Sequence, residues 1–571
     1  MARRIIAILM AAAVSIVAGP VVPAYAHPGS TIRVSHSSTQ ANGDSPASSV
    51  ADTTGPQISL DGTCTAFSSD ATNLVARDTN GKADVFVRDS RTGAIRRASV
   101  TRSGAQANGS SHSPSVSVDC RYLAFVSDAT NLVGGDRNGV ADVFLKDLTT
   151  GAVQLVSVTS SERQANGPSF QPFVSLFGQW IVFESDADNI DARDDNAHSD
   201  VFIRDVKTGR TERVPWVYLP TDEGPGYETF WTQNATISYD GRYVAFTRAG
   251  ARADSSMITS SDVFVLDRRT RKQYRIPAKS SGDAKTMTDH PAISADGRYV
   301  ALEVWSSVSH NDTVKPSDAI DNDDGVLKNP VDPMDIWMWD RYTKRFVYLS
   351  VNGKGLFGNG DSSRPSIAAN GHKIAFVSEA TNLVAGDTNG VADVFVRDLS
   401  ERTTSRMSVD RNFGDAAAAS TRPSMTYEGR RVAFASVAGD FVTGDSNEKM
   451  DVFLRDRRTD LPNRAPNLRK PVEGTRVLNI GEQVTLRLRA TDADRDRLRY
   501  AAMAGLPSGA TIDPVSGMFS WKPDPTHNGK RYAIALWAED PRGGLDLEAL
   551  EFYVRTTEES MRCEFFGQCR T

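Results

Sequence analysis

Seven copies of one short segment, Asp-Val-Phe-x-x-Asp or a close variant, constrain this chain more than any other feature. They begin at Asp84, Asp142, Asp200, Asp262, Asp335, Asp393 and Asp451, at intervals of 58, 58, 62, 73, 58 and 58 residues. A fixed period of this length means that one supersecondary unit recurs and that neighbouring units bury a shared core. Within each unit, apolar and polar residues alternate over short runs punctuated by Gly, which is the pattern of strands. Strand a runs up to an Asp-Gly turn such as Asp240-Gly241 or Asp296-Gly297. Strand b has the form Tyr-Val-Ala-Phe, strand c is the repeated segment itself, and strand d follows a Thr-Gly turn such as Thr92-Gly93.

Four-stranded units repeated in this way predict an all-β fold, a seven-bladed β-propeller over residues 31–460. Strand d follows the first six copies but not the seventh, where Asp456 runs into Arg-Arg-Thr-Asp-Leu-Pro. The segment Ile-Arg-Val-Ser from Ile32 resembles the d strands Ile-Arg-Arg-Ala-Ser-Val and Thr-Ser-Arg-Met-Ser-Val. Ile32 to Ser35 is therefore expected to complete the seventh blade and remove an exposed sheet edge. The motifs Ser-Tyr-Asp-Gly-Arg-Tyr-Val-Ala-Phe and Ser-Ala-Asp-Gly-Arg-Tyr-Val-Ala-Leu-Glu resemble the repeats of TolB-type propellers. That resemblance implies the fold and leaves the function open, because such propellers serve in translocation, peptidase gating and lyase chemistry. TolB-type proteins have six blades, so seven copies argue against direct equivalence.

Residues 1–26 read as a signal peptide: Arg3 and Arg4, an apolar run from Ile5 to Ala18, then Ala24-Tyr25-Ala26 in the small-x-small form that precedes cleavage. The apolar run is short for a membrane span and Gly19, Pro20 and Pro23 follow it, so the expected destination is secretion, with periplasm and cell wall as alternatives. A net charge of −6, with cations interspersed among acids, excludes a nucleic-acid footprint. In an exported chain four cysteines are expected to pair. Cys563 and Cys569 bracket a short loop and form one expected disulfide; Cys64 and Cys120, at nearly equivalent places in consecutive repeats, form the other.

A Pro-rich linker near Asn463 ends the repeat, and residues 463–556 show a different strand pattern. The run Gly-Leu-Pro-Ser-Gly-Ala-Thr-Ile-Asp-Pro-Val-Ser-Gly-Met-Phe-Ser-Trp resembles the cadherin-like, immunoglobulin-like domains of bacterial exported proteins. The resemblance implies a β-sandwich serving as spacer or adhesion unit, with calcium in some relatives; Asp492, Asp494 and Asp540 sit where its ligands would fall. Residues 557–571 form a Cys-containing tail.

Two sets of polar residues are candidate sites. The b-to-c loops carry an Asp-x-Asn-Gly-x-x-Asp core, with Asp78, Asn80 and Asp84 in the first repeat, Asp136, Asn138 and Asp142 in the second, and Asp387, Asn389 and Asp393 in the sixth. Such spacing gathers oxygen ligands for Ca2+. The first ligand position holds Ala76, Gly134 or Ala385, however, which favours the alternative that Asx side chains cap their own loops. The second set precedes strand a: Gly55, Ser113, Gln171, Asn234, His290, Arg364 and Arg422. Gln171, Asn234, His290, Arg364 and Arg422 are expected at the rim of a central channel, where charged hydrogen bonds would hold a polar or anionic ligand. The alternative there is a solvated rim.

No Gly-x-Ser-x-Gly elbow or His-Glu-x-x-His helix is present, and His112 with His290 is the one histidine pair expected near a rim. The insertion around His310 reads as a surface loop. The expected function is an exported non-enzymatic binding protein whose propeller face recognises a protein or a glycan. The alternative is a hydrolase or lyase acting on polysaccharide or peptide at the channel mouth.

Overall fold

The computed structural model describes residues 29–556 except 38, 49–53, 195–197, 216–226, 253–257, 278, 281–285, 307–325, 328–333, 458–465, 470, 472–474, 493–496, 503–505 and 540–544. The expected signal peptide and C-terminal tail, Asp494, Asp540, His310, Cys563 and Cys569 lie outside the described residues. Within them the regular structure is all strand apart from one helical turn at Pro525–His527. No helix among them is long and apolar enough to cross a membrane.

Each repeat forms a four-stranded antiparallel sheet whose strands pair in chain order, and seven such sheets follow one another. In the first, Gln57–Ile58, Cys64–Ser69, Asp84–Asp89 and Ile95–Arg97 are strands a to d. In the last, Ser420–Met425, Arg431–Ser436 and Asp451–Asp456 take their fourth strand from Thr31–Arg33, with Thr31 opposite Arg455 and Arg33 opposite Phe453. The first and last sheets also meet, since the Ile58 N–H donates to Ser424 Oγ at 3.2 Å. The arrangement is a β-propeller.

Strands b and c are apolar on both faces because each sheet is sandwiched between two others. Six sheets place Phe opposite Phe across these strands, as in Phe67–Phe86 and Phe376–Phe395, with ring centroids 5.8 to 5.9 Å apart. The fifth uses Leu302 opposite Trp337. The a-to-b turns interlock neighbouring sheets. Gly241 has φ 70°, and a Cβ there would fall 2.2 Å from Trp180 of the preceding sheet, so only glycine lets the indole lie against the turn. Cys64 and Cys120 form a disulfide between the first two sheets, with Cα atoms 6.0 Å apart.

A main-chain belt runs around most of the axis at these turns. Val118 N–H donates to Leu176 O (3.1 Å), Tyr239 to Ala295 (3.1 Å), Ala295 to Ala369 (3.0 Å), Ala369 to Tyr427 (3.0 Å) and Tyr427 to Leu60 (2.8 Å). These residues are equivalent in the repeats, each following the strand-a Ser, Thr or Ala.

Beyond the repeats, Thr475–Asn479, Leu545–Arg555, Arg531–Glu539 and Arg499–Ala502 make one sheet, and Val484–Arg487, Met518–Trp521 and Thr511–Ile512 another. They share an apolar core that includes Leu478, Val484, Phe519, Trp521, Leu536 and Phe552.

Candidate functional site in the central cavity

The b-to-c loop carboxylates point into the chain's own network. Arg97 lies 3.1 Å from both Asp78 and Asp84, and Arg406 lies 3.1 Å from Asp387 and 3.3 Å from Asp393. Arg213 and Arg33 bridge Asp194 to Asp200 and Asp445 to Asp451 in the same way. In the second sheet Leu155 stands at the place of the arginine, and Gln164 Nε2 joins Asp136 (2.7 Å) to Asp142 (2.8 Å) instead. The asparagines cap their loops: Asn80, Asn138 and Asn389 accept the N–H of Lys82, Val140 and Val391. A guanidinium thus already neutralises two of the three carboxylate pairs proposed for calcium.

The second set of residues converges. Ser113, Gln171, Asn234, His290, Arg364 and Arg422 all have φ between 46° and 55°, and Gly55 has φ 70°. Each of the six non-glycine residues sits in a break of the a-to-b register, as between Phe170 and Phe173 or Asp289 and Ala292. Proline follows all of them except Asn234, and a residue without an N–H interrupts the ladder without orphaning a donor. The left-handed conformation costs a residue with a Cβ roughly 1–2 kcal/mol. Gln171, Asn234, His290, Arg364 and Arg422 line a single cavity of about 240 Å3 on the propeller axis, open to solvent.

Behind them lie three carboxylates that the sequence reading missed. Glu184 Oε1 accepts the Asn234 N–H at 2.6 Å, and Glu303 Oε1 accepts the Arg364 N–H at 2.6 Å. Asp289 Oδ1 accepts from the His290 N–H (2.7 Å), Asn234 Nδ2 (2.8 Å) and Thr247 Oγ1 (2.7 Å). Each carboxylate braces a strained backbone position. His290 Nδ1 lies 3.0 Å from Glu303 Oε2 and 3.7 Å from Asp289 Oδ2. His112, the other expected rim histidine, has its Nδ1 3.0 Å from Ser113 Oγ in the second sheet. The signal for the acids was present: the fifth residue of strand b is Ser68, Val126, Val377 or Ala435 in four sheets but Glu184 and Glu303 in the third and fifth.

Burial pushes the Glu184 carboxyl up to about 8, reinforced by Asp289 and only partly offset by the Asn234 N–H and His290. Burial opposes protonation of His290, but the hydrogen bond to Glu303 and the charge of Asp289 outweigh it and leave the imidazole above its usual range. The folded protein therefore retains the Glu184 proton between about pH 4.5, the unfolded value, and about 8. That contribution to stability is fully present below the unfolded value and is lost as pH rises through the folded one. Asp61 and Asp451, raised by burial to about 6, act in the same sense. Glu184→Gln is expected to match the parent at pH 5 and to exceed its stability by several kcal/mol at pH 9. Urea titrations at the two pH values check this, and a pH-independent difference would contradict it.

No protein-family model matches the chain, and no curated protein matches it. Solved structures with a similar course include a putative TolB from Agrobacterium tumefaciens, 14% identical, covering 63% of this chain and 93% of its own, with a TM-score of 0.31. A puromycin-hydrolysing peptidase from Mycobacterium tuberculosis is 12% identical over 80% of this chain and 65% of its own, with a TM-score of 0.39. An ulvan lyase is 10% identical over 71% and 93%, with a TM-score of 0.37. These likenesses carry no argument about activity.

Proposed function

We propose that this chain is an exported binding protein, a seven-bladed propeller followed by an immunoglobulin-like sandwich, and that its central cavity recognises a glycan. One observation carries the reading. Around a single cavity, donor-only guanidiniums (Arg364, Arg422) stand with the amides of Gln171 and Asn234, which both donate and accept, while Glu184, Asp289 and Glu303 lie behind this lining and hold its backbone. Hydroxyl groups donate and accept, so a sugar satisfies both kinds of partner at once. The b-to-c loops enter this reading as internal braces rather than Ca2+ sites.

Glycine at the strained position separates binding from folding, because Gly55 is the natural occupant in the first sheet. Arg364→Gly and Gln171→Gly keep the backbone N–H while relieving left-handed strain. Both are expected to melt at or above the parent temperature, by roughly 1 kcal/mol of added stability. Loss of a charged hydrogen-bonding group at Arg364 should weaken glycan binding about 10- to 100-fold. Calorimetric titration against a panel of plant and microbial oligosaccharides measures this, and undiminished affinity in Arg364→Gly would refute the cavity as the site.

A second reading, a hydrolase or lyase working on the bound glycan, is favoured by Glu184, a carboxyl that holds its proton near neutral pH beside the His290–Glu303 pair. Under that reading the same panel yields products with the parent protein and none with Glu184→Gln.

A further inference from the structure

The seven repeats close the cavity on every side, so whatever enters must come along the propeller axis. At the end away from the strained residues, the axis meets the main-chain belt of Val118, Leu176, Tyr239, Ala295, Ala369, Tyr427 and Leu60. Inter-sheet N–H···O=C bonds of 2.8 to 3.1 Å draw these residues together. Their side chains fill the opening that remains. Leu60, Val118, Leu176 and Tyr239 form the inner end of the cavity lining, while Val118, Ala295, Ala369 and Tyr427 are buried. Burial drives the Tyr239 phenol well above its usual range, with Tyr427 as its charged-form neighbour.

The outer side of this floor is covered as well. Ala535, Trp537 and Leu547 of the C-terminal sheet belong to the same apolar cluster as Val118, Leu176, Ala295, Ala369 and Tyr427, with Leu60 and Tyr239 packed against it. The Trp537 and Tyr427 rings lie 6.0 Å apart, and Trp537 is only 7% exposed. Burying apolar groups of two units against each other removes water from the one remaining exit. A tunnel through the propeller is thereby converted into a cup.

We infer that the cavity is a blind pocket for the terminal unit of a glycan, and that the C-terminal sandwich acts as its stopper. The inference rests on the glycan reading above and adds the part of the chain that is recognised. An internal sugar carries a neighbour on either side, and a cup walled by seven sheets gives the second neighbour no way out. A volume of about 240 Å3 lies below the roughly 300–1,000 Å3 typical of sites for drug-sized ligands, which suits one sugar unit rather than several.

The test uses the full chain and linear oligogalacturonides, xylo-oligosaccharides and cello-oligosaccharides of two to twelve units, each free and with a bulky aromatic cap on one terminus or on both. The expected result in the series that binds is a molar affinity constant within about twofold across chain lengths. Affinity per sugar unit then falls as the ends are diluted. One of the two single caps should weaken binding at least tenfold. Affinity that stays constant per sugar unit and survives capping of both ends would overturn the blind pocket while leaving the glycan reading intact. Binding by none of the three series would overturn the glycan reading, and the terminal-unit inference with it.

Discussion

Deleting residues 27–36 is expected to lower stability by about 5 kcal/mol or more. Thr31–Arg33 is the fourth strand of the last sheet, so its loss leaves Asp451–Asp456 as an open edge. The ion pairs matter more than the ladder. Arg33 Nη1 lies 2.8 Å from Asp445 and 3.5 Å from Asp451, whose carboxylates are 4% and 0% exposed. Ser35 Oγ donates to the same Asp451 at 2.5 Å. Removing one partner of a buried pair costs roughly 3–5 kcal/mol. Val34, 1% exposed, adds about 2 kcal/mol of apolar burial. Urea denaturation of a chain beginning at residue 27, compared with one beginning at residue 37, measures the difference, and an unchanged midpoint would show that the ring does not depend on this closure.

Arg406→Leu should cost roughly 3–5 kcal/mol by the same mechanism. The side chain is 6% exposed and holds Asp387, Asp393 and Asp415, the first two almost fully buried. The second sheet indicates how the loss can be repaired. There Leu155 takes the arginine's place, and Gln164, equivalent to Asp415, binds both carboxylates through its amide. Arg406→Leu combined with Asp415→Gln copies that solution and should recover at least half of the lost stability. If the double variant is no more stable than the single one, the guanidinium does more than balance charge.

Much of the candidate site was legible from period alone. Once the repeats are aligned, the residue expected just before each strand a must occupy the same place in every sheet; the structure puts it inside the strand at the bulge instead, and Gln171, Asn234, His290, Arg364 and Arg422 do converge on one cavity. The left-handed backbone at these positions was not legible. It reflects bulges opposite strand b, and no local preference announces it in Gln, His or Arg. Glu184, Asp289 and Glu303 escaped for a related reason: their role is to accept N–H groups of bulged residues, two of them in the next sheet, some 50 to 60 positions along the chain. The loop acids stood out instead because repetition makes a structural brace look like a ligand set. Their arginines lie on strand d, 13 residues beyond the second aspartate, outside any loop motif.

Repetition in the sequence determined by itself that this chain forms successive four-stranded sheets and that its N-terminal strand belongs with the last of them. Both follow from local alternation and from counting strands. Tertiary structure alone decided which side chains face the axis with strained backbones, which acids brace them, and that the far end of the channel is shut. Those outcomes depend on how sheets distant in sequence are pressed together around one line, and on where the C-terminal sheet lands. They are properties of packing between units, on which the pattern within a unit is silent.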